Sequence, residues 1–140
     1  MMGQAVDVTV IGTQLDDNLQ ETVQTKGKGE LYKKGETVYI MYDQRDEDSS
    51  QMVHHRIKLR GQTVELHRSG AGQQSRMMFE EGKSFTSSYV LSGMALALTM
   101  RTKRVDIIKD EQQWKILLEY ELLLEGQHAS NNRTEVRIEI

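Results

Sequence analysis

The sequence predicts an all-β fold, a single antiparallel up-and-down β-barrel of eight to ten strands, and three observations favour it. Apolar and polar residues alternate with a period of two in many short runs, as they do in strands that bury one face. Turn-forming residues separate these runs, and no convincing crossover helix lies between them. Closure of such a meander into a barrel removes exposed sheet edges. The 140 residues are expected to form one domain, residues 1–140.

The alternating runs mark the strands in chain order. The clearest runs cover residues 6–10, 38–42, 53–59, 64–66, 94–100 and 136–140. Tight turns are expected at residues 34–36, 61–62 and 81–83, and longer loops at residues 12–18, 43–51, 69–73 and 126–132.

Residues 111–125 are the segment in which helix and strand compete, because Glu, Gln, Lys and Leu give it a high helix propensity. A helical face that begins at Trp114 becomes charged after two turns. A strand would have one entirely apolar face, which would hold Ile116, Leu118, Tyr120, Leu122 and Leu124. We therefore expect a strand here, the longest in the chain.

The hairpin at residues 61–62 has a register that follows from its turn, because a glycine-first loop of two residues fits a type II′ turn. In that register Leu59 faces Val64, and apolar pairs alternate with polar pairs, so the register is self-consistent. The same register places His55 beside Arg68 on the inward face of the barrel.

The inward Arg68 allows two interpretations, because a charge inside a barrel is costly unless an anionic or hydrogen-bonding group meets it. Arg68 either contacts a bound acid or phosphate, or closes the barrel end by pairing with a carboxylate or carbonyl groups of the protein. For the first interpretation we select six ligand-binding candidates, four for polar contacts and two for the walls: His55, Arg68, Arg76 and Tyr89, with Met100 and Tyr120.

A row of basic side chains is expected on the outer face of the same hairpin. It consists of His54, Arg56, Lys58 and Arg60, which are roughly 6.6 Å apart because a strand rises ~3.3 Å per residue. This row fits RNA or an acidic protein as a partner. It also fits a solvated strand face, in which Glu65 compensates Lys58 and no aromatic residue interleaves with the charges.

Neither catalytic nor metal-binding machinery is recognisable. The chain has no cysteine, which removes disulfides and thiolate ligands. His54 and His55 are adjacent on a strand and point to opposite faces, and His128 is expected alone in a loop. The acidic residues 43–48 lack the spacing of a calcium loop. We expect no enzyme activity, no catalytic residues, no metal and no cofactor.

The net charge of −3 argues against a general nucleic-acid coat, although not against a local basic patch. The N-terminal residues lack the pattern of a signal peptide, and no apolar window is long enough for a membrane span. We therefore expect a cytoplasmic protein with no membrane contact, and the sequence leaves its oligomeric state open.

Two stretches resemble a known family. Residues 29–42, GELYKKGETVYIMY, are similar to the early hairpin of the YwiB-like proteins, which are uncharacterised and found mainly in Gram-positive bacteria. The tripeptide Arg68-Ser69-Gly70, followed by Arg76-Met77-Met78-Phe79, resembles the family's "R-S-G, then R-M-x-F" pattern. The resemblance implies a lipocalin-like (calycin) barrel. It implies no activity.

These observations lead to two functional hypotheses from different classes. The first is a non-enzymatic barrel that binds a small apolar or amphipathic ligand at its mouth, an expectation that fold analogy largely supplies. The methionines of such a barrel fit a filled core and also an apolar ligand lining. The alternative is an adaptor that binds RNA or an acidic protein through the basic row.

Overall fold

The computed structural model describes residues 3–15, 21–45 and 50–140. Its secondary structure consists of ten β-strands: β1 Gln4–Gln14, β2 Glu21–Lys34, β3 Thr37–Arg45, β4 Met52–Arg60, β5 Thr63–Gly70, β6 Gln73–Phe79, β7 Ser84–Leu91, β8 Met94–Lys109, β9 Gln113–Leu124 and β10 Gln127–Glu139. Within the described residues, no helix has the length and apolar character that a membrane crossing requires.

The ten strands form one closed antiparallel up-and-down barrel, which confirms the predicted fold. Each strand pairs with the next along the chain, and β10 pairs with β1 to close the ring. The β6–β7 seam is the narrowest, because only Gln73 with Leu91 and Gln74 with Val90 are paired there. Beyond that seam the turn before β7 bonds to β8 instead, through the backbone of Thr102.

The barrel interior is a packed apolar core over much of its length. Inward side chains from nearly every strand are completely buried there, among them Ile40, Val64, Phe79, Met100, Ile116, Leu118 and Ile138. Trp114 is buried where β9 begins, and the ammonium groups of Lys33 and Lys109 lie 5.9 and 4.7 Å from its ring centroid. This packing fills the end of the barrel at which β9 begins.

Residues 111–125 contain a strand, as predicted, and Trp114, Ile116, Leu118 and Tyr120 of β9 are buried. The prediction that it is the longest strand is wrong, because β9 has 12 residues and β8 has 16. A β-bulge between Thr102 and Arg104 shifts the alternation in β8 by one residue. The sequence pattern therefore breaks in the middle of a continuous strand.

Several predicted loops are shorter in the structure. β10 begins at Gln127, so the predicted loop at 126–132 is wrong, and the loop at 69–73 reduces to a turn at residues 71–72. β1 continues to Gln14 and β3 to Arg45, and residues 16–18 and 46–49 of those two predicted loops lie outside the described residues. All four sites lie at one end of the barrel. Polar side chains occur on both strand faces there, so the alternation that identifies a strand is lost.

Candidate functional site

A cavity of about 800 Å³ occupies the barrel near the end at which β3, β5 and β9 finish. We call this the open end. Such a volume is typical of small-molecule sites. The barrel therefore has a filled end and an end with interior space.

The cavity has two chemically different sides. The strands from β3 to β6 contribute most of the polar groups of the lining, among them Tyr42, Gln44, His55, Arg68 and Ser75, beside the apolar Val53, Ile57, Leu66 and Met77. The strands β1, β2 and β8 to β10 contribute mainly apolar groups, namely Val10, Val23, Leu98, Leu122, Leu124 and Val136. We refer to these two sets as the polar wall and the apolar wall.

Large apolar side chains are exposed around the rim of the open end. Val23 is 64% exposed and Met94 is 63% exposed, and Leu91 and Leu124 are also exposed. Each belongs to a different strand and lies within three residues of a strand end. The apolar wall thus continues to the mouth of the cavity without a polar border at these positions.

Tyr42 and His55 form the centre of the polar wall. They lie opposite each other on β3 and β4, and their rings stack with centroids 4.5 Å apart and an interplanar angle of 3°. Two glycines of β2 make room for Tyr42. A Cβ atom at Gly27 would lie 2.8 Å from Tyr42 Cδ2, and one at Gly29 would lie 2.2 Å from the Met41 carbonyl oxygen.

The polar wall combines two uncharged rings with the guanidinium of Arg68. Burial, together with the positive charge of Arg68, lowers the pKa of His55 to about 4, against a smaller opposing effect of Asp43. Burial raises the pKa of Tyr42 to about 12. His55 Nε2 is buried and has no hydrogen-bond partner among the described residues.

Arg68 lies opposite His55 on one side and Ser75 on the other, as the hairpin register predicted for His55. Its side chain is exposed and reaches the cavity. In the described part of the chain it forms no ion pair, and no Asp or Glu lines the cavity. The described structure therefore offers no carboxylate partner for Arg68 as a plug of the barrel end.

Three of the six predicted ligand-binding residues, His55, Arg68 and Tyr89, line the cavity. Arg76 lies elsewhere, on the outer face, because it pairs with the outward His67, and its Nε donates to Glu65 Oε1 at 2.9 Å.

Met100 and Tyr120, predicted as walls, are buried in the core outside the cavity lining, and the Tyr120 hydroxyl lies 2.9 Å from Thr134 Oγ1. Tyr42 is not among the predicted site residues, because it continues the alternation of Val38 and Ile40 and therefore has the pattern of a core residue. Its place opposite His55 follows only from the observed pairing of β3 with β4.

The outer face differs from the prediction in two respects. Lys58 lies opposite Glu65 in register, but the buried Glu65 carboxylate contacts Arg76 and, at 3.6 Å, Arg56 instead. The Lys58 ammonium lies 5.9 Å from the ring centroid of Tyr39 on the neighbouring strand. The predicted absence of interleaved aromatic residues is therefore wrong, because the aromatic residues come from a different strand.

The four histidines do not converge. No cluster of three or more His, Asp or Glu side chains that could hold a metal occurs among residues 3–15, 21–45 and 50–140. His54 Nδ1 lies 2.6 Å from Asp43 on the outer face. His128 is part of β10 rather than a loop, and its Nδ1 lies 2.6 Å from Glu121 Oε2.

Comparisons with known proteins agree with this fold. Residues 8–136 match the family described as "Domain of unknown function (DUF1934)". The crystal structure of the ywiB protein from Bacillus subtilis superposes with a TM-score of 0.84 and 24% sequence identity, covering 98% of this chain and 92% of that chain. No curated protein matches the sequence.

Proposed function

The chain belongs to the DUF1934 family of YwiB-like proteins, and we propose that it is a non-enzymatic, lipocalin-like barrel that holds a small amphipathic molecule in its open cavity. The observation that carries the proposal is the two-sided lining, with the polar wall on β3 to β6 facing the apolar wall. A ligand with one polar group and an apolar body matches both walls at once. The cysteine-free composition fits a reducing bacterial cytoplasm, which we propose as its location.

The exposed rim supports the same proposal. Exposed apolar patches on soluble domains commonly mark sites that another molecule covers. Val23 and Leu124 belong to the rim and to the cavity lining. An apolar ligand body along this side would remove both from water, and burial of each methylene group contributes about 0.8 kcal/mol.

Native mass spectrometry of the gently purified protein tests the proposal, alongside binding of the fluorescent amphiphile 1-anilinonaphthalene-8-sulfonate. The informative variant is Leu122→Trp, which places an indole into the cavity. Its matched control is Leu123→Trp, because Leu123 is the next residue on β9 and points to the opposite face.

We expect a reproducible extra mass, or enhanced probe fluorescence, in the wild type and in Leu123→Trp. Both signals should be lost in Leu122→Trp. Equal binding by the two variants would place the ligand outside the cavity. A wild-type protein that carries no extra mass and does not bind the probe would contradict the proposed function.

The second candidate function is an adaptor that binds RNA through the outer face of β2 to β4, and a specific observation favours it. Tyr32 and Tyr39 stack there with centroids 5.4 Å apart. Several cations on these strands have no ion pair among the described residues: Lys26, Lys28, Lys34, Lys58 and Arg60. Aromatic rings among unpaired cations are typical of single-strand binding surfaces.

Fluorescence anisotropy with a labelled oligouridylate tests this candidate. Binding through the outer face should weaken steeply as salt rises and should be lost in Tyr39→Ala. Binding in the cavity should depend only weakly on salt. No binding of the oligonucleotide at low salt would exclude the RNA adaptor, and an acidic protein would then be the remaining partner class.

A further inference from the structure

We propose that the polar group of the cavity ligand is a monoanion, specifically a carboxylate that Arg68 binds with help from Tyr42 and His55. This inference rests on the proposed function. It names the ligand class as an apolar molecule with one carboxylate.

The charge of the cavity lining favours an anionic ligand. The whole chain has a net charge of −3, yet the described cavity lining contains arginines and no Asp or Glu. Arg56 reaches Glu65 at 3.6 Å, and Arg45 donates to the Ser50 carbonyl oxygen at 3.4 Å. Of these arginines, only Arg68 has no ion-pair or hydrogen-bond partner in residues 3–15, 21–45 and 50–140.

The groups around Arg68 are neutral and can donate hydrogen bonds. His55 is uncharged at neutral pH, so it adds no second cation and can donate from one ring nitrogen. The Tyr42 hydroxyl keeps its proton and can also donate. Its ring stacks on that of His55, which holds both groups on one wall. A carboxylate accepts such bonds, whereas an ammonium group has no lone pair with which to accept them.

The number of negative charges distinguishes a carboxylate from a phosphate as the ligand's polar group. A carboxylate carries one negative charge, and the guanidinium of Arg68 can bind it through two parallel N–H donors. A phosphate monoester carries about 1.5 to 2 charges at neutral pH and favours clusters of cations. One arginine that has no partner in the described part of the chain, beside two neutral rings, therefore fits a carboxylate better than a phosphate.

The geometry also sets the orientation of the ligand. Arg68, His55 and Tyr42 come from adjacent strands, β5, β4 and β3, whereas Leu98 and Leu122 come from β8 and β9 on the apolar wall. A carboxylate at Arg68 therefore directs the apolar body across the cavity toward β8 and β9. The exposed Leu124 continues that surface to the rim.

Isothermal titration with four ligands that share a twelve-carbon chain tests the inference, each used below its micellar concentration or, for the alcohol, below its solubility limit. The ligands are dodecanoate, dodecyl phosphate, 1-dodecanol and dodecylammonium. The proteins are the wild type, Arg68→Gln and the matched control Arg60→Gln. Arg60 is an exposed arginine on the outer face of β4, so its replacement makes the same charge change away from the cavity.

We expect the wild type and Arg60→Gln to bind dodecanoate about tenfold more tightly than 1-dodecanol, because a hydrogen bond to a charged group has that effect on affinity. Dodecyl phosphate should bind no more tightly than dodecanoate, and dodecylammonium most weakly. Arg68→Gln should bind dodecanoate and 1-dodecanol equally. The wild-type ligand series is informative even if Arg68→Gln folds poorly.

Other results would overturn the inference in distinguishable ways. Equal affinity of the wild type for dodecanoate and 1-dodecanol would remove the carboxylate and leave the amphipathic cavity intact. Tighter binding of dodecyl phosphate would replace the carboxylate by a phosphate. An equal loss in Arg60→Gln and Arg68→Gln would show a long-range charge effect rather than a contact. No binding of any of the four would contradict the proposed function itself.

Discussion

The imidazole ring of His55 lies flat against the phenol ring of Tyr42, with centroids 4.5 Å apart and planes within 3° of parallel. The stack joins β3 to β4 on the inside of the barrel, where Arg68 stands next to His55. Two titratable rings therefore share a partly desolvated wall with a permanent cation. This arrangement makes the wall neutral except at Arg68.

The first prediction concerns the protonation of His55. Its pKa is lowered from the ordinary 6.5 to about 4, so the unfolded chain binds the proton first as pH falls. Between these two pH values the unfolded state holds more protons, and the free energy of unfolding should decrease as pH falls from about 6.5 toward 4. The His55 contribution is fully present above pH 6.5.

Two measurements check this prediction. NMR titration of the His55 ring resonances should give a midpoint near 4. Chemical denaturation at several pH values should show a smaller pH slope for His55→Phe, which keeps an aromatic ring against Tyr42 and removes the titratable group. A midpoint at or above 6.5 would contradict the burial of His55.

The second prediction concerns the glycines of β2. Gly29→Ala should lower the free energy of unfolding by about 1 to 3 kcal/mol, the usual cost of overpacking. Its new Cβ atom would lie 2.2 Å from the Met41 carbonyl oxygen and 2.9 Å from Tyr42 Cβ. The control is Gly12→Ala, where the nearest atom is 4.0 Å away, and it should change stability by less than about 0.5 kcal/mol. Urea denaturation of both variants measures the difference, and equal effects would refute the close approach of β3.

The third prediction concerns the buried carboxylate of the outer face. Glu65 is 6% exposed and accepts from Arg76 Nε at 2.9 Å. A double-mutant cycle with Glu65→Gln and Arg76→Gln should give a coupling energy of about 1 to 3 kcal/mol, as for hydrogen bonds to charged groups. The more exposed pair of Lys83 and the half-buried Glu80 serves as the comparison, and its coupling should stay below about 1 kcal/mol. Equal coupling energies would mean that burial of Glu65 adds nothing.

The fourth prediction concerns the buried hydrogen bond between Tyr120 and Thr134. Tyr120→Phe removes the hydroxyl that bonds to Thr134 at 2.9 Å and leaves the buried Thr134 hydroxyl without that partner. Thermal or urea unfolding should show a loss of about 1 to 2 kcal/mol. Because Tyr120 lies outside the cavity lining, affinity for an amphiphile should be unchanged. A large loss of affinity would show that Tyr120 belongs to the binding site.

The hairpin of β4 and β5 shows how far sequence reasoning reaches. Its register follows from Gly61 alone, because that residue has a positive φ of 58° and a two-residue loop then fixes every pair. The whole register from Arg60–Thr63 to His55–Arg68 is observed as predicted. A tight turn with alternating neighbours carries its geometry in local sequence.

Other features depend on contacts that local sequence does not reveal. The bulge in β8 displaces the alternation after Thr102, and nothing in its composition indicates where the extra residue stands. Arg76 is a predicted ligand contact, but the face on which it lies depends on the strand that pairs with β6. Because β6 pairs with β5, Arg76 lies beside His67 on the outer face.

The polar ends of the strands at the open end were predicted as loops for a related reason. β10 begins with polar residues because its first residues border the cavity mouth rather than a dry core. A strand that borders an open space has no need of apolar alternation. The same property that hid these strand ends distinguishes the open end from the filled end.

Methyl NMR of the protein with ¹³C-labelled methionines, titrated with dodecanoate, shows directly whether the ligand enters the barrel. Met77 lines the cavity, whereas Met41 is exposed on the outer face of β3. We expect a saturable shift of the Met77 methyl resonance and none for Met41. A shift of Met41 without Met77, or no shift of either methyl at saturating ligand, would contradict a ligand-binding cavity in this barrel.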